Sequence, residues 1–111
     1  MIDFNQFLNT LKSDLADIGK EFGRDYVDDI VSDGTDFAIR RKENLERRAH
    51  LLEEGKLSKD EFKWLLQSDK NLIEMKAIKK HGLAVVQMNK LQNAIISTIS
   101  GSLLKSLNIK S

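Results

Sequence analysis

Two groups of side chains in this chain have the types and spacing that chemistry needs, and they share one short stretch. His50 lies one turn after Glu46 and one turn before Glu54, a spacing that can offer a metal ion two or three ligands from one helix face. The same spacing makes i,i+4 charge pairs on a solvated helix, and that is the reading adopted. Arg40, Arg41, Arg47 and Arg48 form two pairs seven residues apart, which 100° per residue places on one face. Guanidinium forks pair bidentately with phosphate, so these arginines are a candidate phosphate-binding face. Glu43, Glu46, Glu53 and Glu54 dilute it and no aromatic residues interleave for base stacking, which leaves an acidic helix as the better partner and nucleic acid as the lesser one.

Nothing else in the sequence suggests catalysis. The Glu-x-x-His signature of di-iron bundles is absent, because Arg47 and Ile78 stand three residues before the two histidines. His81 suits a helix C-terminus as a cation. There is no glycine-rich phosphate loop and no interpretable Ser/His/Asp set. Without cysteine, disulfides and thiolate metal sites are excluded. The expectation is a non-enzymatic protein with no cofactor, no metal and no small-molecule substrate.

Charge is sorted along the chain. Residues 1–39 hold nine acidic groups against three basic, whereas residues 75–111 hold six lysines and no acid, so a net charge of +1 conceals a strong asymmetry. Such polarisation should draw the chain to itself, to a copy of itself or to an anionic surface. The N-terminus has neither a basic region nor an unbroken apolar run, which argues against a cleavable secretory signal and makes cytoplasmic residence the default.

The elements that must position these groups are helical. A chain of 111 residues without proline, with one tryptophan and one tyrosine, fits one all-α domain. The spacing predicts four helices in a mostly antiparallel, bundle-like arrangement, over about 3–31, 37–54, 59–80 and 83–109. In the first, Phe4, Leu8, Leu11, Leu15, Ile18, Phe22 and Tyr26 make a narrow stripe. Ser32-Asp33-Gly34-Thr35-Asp36 reads as the break after it, with Gly34 as a left-handed cap. In the second, Ala38, Leu45, Ala49 and Leu52 share one side, and Gly55 ends it. Ser58 and Glu61 have capping-box spacing, with Leu57 and Phe62 placed as a hydrophobic staple. The third helix carries a second strip of Trp64, Met75 and Ile78 opposite its main apolar face, and Gly82 follows it. The last helix is different in kind: Lys90 is its only charge between Gly82 and Leu104. Met88, Leu91, Ile95, Ile96, Ile99 and Leu103 give it a broad apolar arc, too interrupted by Gln and Asn to span a membrane. That arc suits a bundle core or an anionic lipid surface.

Leu51-Leu52-Glu53-Glu54-Gly55-Lys56-Leu57-Ser58-Lys59-Asp60-Glu61-Phe62 resembles the core of the short C-terminal (SHOCT) domain, a helical hairpin of many bacterial proteins. The leucine pair, the glycine break, the aliphatic–Ser step and the acid–Phe pair carry the resemblance, which extends over about residues 45–66. It implies a helical hairpin with a role in oligomerisation.

Four sets of residues are therefore candidates for contact with something else. Gly19 and Gly23 form a small-xxx-small pair that can admit another backbone or can simply be tolerated. The Trp64, Met75 and Ile78 strip and the basic Lys76, Lys79 and Lys80 are the second and third, and the arginine face is the fourth. They point first to a protein that self-associates or docks on a protein partner, next to one that places residues 83–109 on anionic lipid, and last to nucleic acid.

Overall fold

The computed structural model describes residues 2–109, and among them every regular element is a helix or a 3-10 turn. The all-α expectation holds, with five α-helices where four were predicted. Helix α1 runs Phe4–Phe22, α2 Val27–Arg40, α3 Lys42–Glu53, α4 Lys59–Ser68 and α5 Val85–Ser106.

Helix α1 starts where Asp3 Oδ1 accepts the Gln6 amide at 3.2 Å, a side-chain acceptor for one of the orphan N–H groups of the first turn. It buries Phe7, Leu11, Leu15 and Gly19, with Phe4, Leu8 and Phe22 packed partly against the core. The predicted helix 3–31 is broken at Gly23, whose φ of 137° is open to glycine and costly for other residues. A 3-10 turn, Arg24–Tyr26, reverses the chain into α2. The two helices run antiparallel and very close. A Cβ on Gly19 would lie 2.9 Å from the Val27 Cα, and one on Gly34 would lie 2.6 Å from Leu15 Cδ1.

The break expected at residues 32–36 is therefore helix, and Asp33, Gly34 and Thr35 are buried within α2. Gly34 is there because α1 leaves no room for a side chain, and Asp33 because its carboxylate serves a distant segment. The turn comes instead at Arg41, between α2 and α3, so Phe37 and Ala38 complete the buried face of α2 while Leu45, Ala49 and Leu52 bury that of α3.

The α3–α4 hairpin follows the sequence closely. Gly55 has φ 72°, its amide bonds to the Leu52 carbonyl at 3.1 Å, and the Lys56 amide bonds to that of Leu51 at 2.9 Å. Those two bonds are a Schellman C-cap. Ser58 Oγ accepts the Glu61 amide at 3.0 Å, and the Ser58 amide donates to Glu61 Oε1 at 2.9 Å. The capping box draws the Glu61 carboxyl below its usual range.

Helix α4 ends at Ser68, not near residue 80 as predicted. The chain continues through a 3-10 turn at Lys70–Leu72, an extended Ile73 and a second 3-10 turn at Ile78–His81, closed by Gly82 at φ 66°. Ile73, Met75 and Ile78 enter the core from this irregular run, which is why their spacing imitates a helix. Helix α5 then threads the centre, burying Leu91, Ile95, Ile96, Ile99, Leu103 and Leu104. Its apolar arc is core.

Two substitutions test this packing. Ser58→Ala should lower stability by about 1 kcal/mol, read as a shift in urea midpoint, because it orphans the Glu61 amide. Gly34→Ala gains helix propensity yet should cost a net ~1 kcal/mol or more, because fully buried Leu15 must move.

Candidate interaction surface

Part of the charge asymmetry is used inside the fold. Asp14 on α1 accepts Lys105 Nζ at 2.8 Å and Ser102 Oγ at 2.7 Å, both from α5. Asp29 on α2 meets His81 and, at 3.2 Å, Lys80, and the His81 ring stands edge-on to Tyr26 with centroids 4.7 Å apart. The His81 hydrogen bond, with Lys80 behind it, holds the Asp29 carboxyl below its ordinary value. Asp33 accepts the Ala77 and Ile78 amides at 2.9 and 3.0 Å. Burial pushes its carboxyl up, against the pull of those two bonds.

The candidate arginine face is occupied by the chain itself. Arg41 and Arg48 converge on Asp69 at 3.2 and 2.8 Å, and the Asp69 side chain is only 15% exposed. Arg40 lies 3.7 Å from Glu74, and Arg47 donates to Asn44 at 2.9 Å. The main partner is thus the residue just after α4, where the charge pattern pointed to the acidic first helix. His50 pairs with Glu54 at 3.2 Å, and among the described residues no three metal-ligating side chains gather.

The other candidates are scattered. Gly19 is buried beneath Val27 of the same chain, and Gly23 makes the α1 turn. The expected strip does not exist as a strip: Met75 and Ile78 are core at 3% and 0% exposure, while Trp64 on α4 is 70% exposed. Their separation follows from the end of α4 at Ser68. Lys76 is ion-paired with Glu74 at 3.0 Å, Lys80 with Asp29, and Lys79 is exposed near Glu74.

A groove between α4 and α5 lies outside the four candidate sets. Gln67 and Lys70 both donate to Asn93, at 2.8 and 3.1 Å, tying the C-terminal end of α4 to the middle of α5. Beyond this tie the two helices leave a shallow furrow lined by Lys63, Gln67, Ser97, Ser100 and Gly101. The available signal was Ser97-x-x-x-Gly101, a small-residue pair on the polar side of the last helix. Elsewhere Ile39, Leu72, Val85 and Val86 are exposed singly or in a pair.

No family model, curated protein or solved structure matches this chain. Its surface has to be read from its own chemistry. That chemistry offers exposed apolar side chains, a charged hollow lined by Asp33, Asp36, Arg40, Glu74 and Lys76, and a groove floored by small residues between α4 and α5.

Two outcomes follow from the buried acids. Asp33→Ala leaves the Ala77 and Ile78 amides without their acceptor and should cost on the order of 2 kcal/mol in denaturant unfolding, with Asp33→Asn intermediate. Because the Asp29 carboxyl is held below its ordinary 3.8, it contributes stability above that value and loses it as pH falls through the lowered one. Asp29→Asn should therefore lower the thermal midpoint at pH 7 and flatten the acid limb between about pH 5 and pH 2. Asp33, raised, has the opposite sign, so Asp33→Asn should not reproduce that flattening.

Proposed function

We propose that this chain is a small non-enzymatic interaction protein that associates with copies of itself, with docking on another protein as the related form. The observation behind this reading is Trp64. It is the single tryptophan, 70% exposed, and it sits on a short helix whose start is fixed by a two-bond capping box. Tryptophan is enriched among the residues that dominate interface energetics, and leaving it in water on a rigid element is unfavourable unless something covers it. The resemblance of the α3–α4 hairpin to a family associated with oligomerisation supports the same reading.

A second reading has its own observation. Val85 and Val86 are 76% and 65% exposed at the start of α5, with Lys79, Lys80 and Lys90 close in sequence, a composition suited to anionic lipid. Bringing the rest of α5 to a membrane would strip Leu91, Ile95, Ile96 and Ile99 out of the core, at roughly 1.5–3 kcal/mol per side chain. No helix of the described residues is long and apolar enough to cross a membrane. Nucleic acid ranks third, since Arg41 and Arg48 are already engaged by Asp69.

Light scattering coupled to size exclusion, run across protein concentration and from about 0.05 to 0.5 M salt, separates these readings. Association should grow with concentration and survive the salt, which shortens screening from about 14 to 4 Å, because the exposed side chains that carry this reading are apolar. A monomer at millimolar concentration that sediments with anionic but not neutral vesicles would replace this reading with the lipid one.

A further inference from the structure

The chain has six glycines, and five of them are accounted for. Gly23, Gly55 and Gly82 have positive φ. Gly19 and Gly34 face neighbours at 2.9 and 2.6 Å from where a Cβ would stand. Gly101 has neither reason. It lies inside α5, its φ is not positive, and a Cβ there would meet nothing within 4 Å. A mid-helix glycine costs about 1 kcal/mol relative to alanine, and nothing within the chain offsets it.

The neighbouring residue is also incomplete. Thr98, Ser102 and Ser106 of α5 each donate a hydrogen bond within the chain. Ser100, 6% exposed, has an Oγ with no partner among the described residues. Gly101 and Ser100 line the furrow with Ser97, Lys63 and Gln67, and Trp64 projects from α4 one residue beyond Lys63.

We propose that the α4–α5 furrow receives Trp64 of a second copy of this chain, in a two-fold dimer where each copy gives its indole and takes the other's. The inference rests on the self-association reading above and names the surface that performs it. Hole and knob match chemically. A furrow of Ser97, Ser100 and Gly101 admits a flat ring to the backbone. The Ser100 hydroxyl, unpartnered just beneath the furrow surface, can turn to accept the one N–H that a buried indole must satisfy. Trp64 follows the furrow-lining Lys63 on the same helix, so knob and hole adjoin, as an isologous pair in which residue i meets j and j meets i requires. Asp60 and Lys63 share the exposed face of α4 with Trp64, are opposite in sign and have no ion pair among the described residues. A reversed copy therefore meets complementary charge.

The single tryptophan reports directly on this contact. As wild-type concentration rises, Trp64 emission should shift to the blue in step with a doubling of mass by light scattering. Trp64→Ala and Gly101→Leu, which remove the knob and fill the hole, should each weaken dimerisation by about tenfold or more while circular dichroism stays helical. Gly101→Ala, measured at concentrations where the protein is monomeric, should raise the thermal midpoint, because its methyl group enters open space. A lowered midpoint would show that the glycine serves the chain's own packing and would overturn the inference. A dimer undiminished by both Trp64→Ala and Gly101→Leu would overturn this surface and leave self-association standing. A wild type that stays monomeric at millimolar concentration would remove both.

Discussion

The stretch between α4 and α5 cannot hold its own shape. Residues 69–84 contain two 3-10 turns and an extended residue, so most of their amides have no helix to bond within. Asp33 supplies what is missing. Its carboxylate, 2% exposed, takes the Ala77 and Ile78 amides and fixes the second turn against α2. Asp69 anchors the beginning of the stretch through Arg41 and Arg48, and Asp29 anchors its end through Lys80 and His81. With both ends and the middle tied, Met75 and Ile78 reach the core and α5 is delivered back along α4. The α4–α5 furrow exists because this tether sets where α5 begins.

The local features of the fold were legible in the sequence and the tertiary ones were not, for a physical reason in each case. The capping box, Gly55 and Gly82 follow from bonds within a few residues, and they stand where the sequence placed them. Ser32-Asp33-Gly34-Thr35-Asp36 has the residue types of a helix break, but two of them are used by other elements: Gly34 makes room for Leu15, while Asp33 accepts amides 44 and 45 residues away. Gly23 was read as half of a packing pair because Gly19 lies four residues before it, and only Gly19 packs. In the candidate surface, helical spacing places Trp64 with Met75 and Ile78 in one strip, but α4 stops at Ser68, short of both. The Ser100–Gly101 furrow has only the Ser97-x-x-x-Gly101 spacing as a signal, because open space beside a glycine depends on which helix packs next to it.

The sorted charge had a structural use. Acidic α1 and α2 carry two long-range pairs to the C-terminal third, Asp14–Lys105 to α5 and Asp29–Lys80 to the second 3-10 turn. Partly exposed pairs contribute at most about 1 kcal/mol each, so their effect is on register more than on stability. Two of the nine acids of the first 39 residues are in this way paired with lysines of the last 37.

The position of α5 in the chain has a consequence for how the molecule is made. The bond from Ser102 to Asp14 closes 88 residues, and the helix that fills the centre is the last of the five to be synthesised. The α1–α2 and α3–α4 hairpins are local and can form in microseconds to milliseconds, yet each must hold its apolar face in water until α5 arrives. A nascent chain of this protein is therefore sticky for the seconds that translation takes to supply those residues. Chaperone contact, or pairing with another unfinished copy, would compete with native folding during that interval.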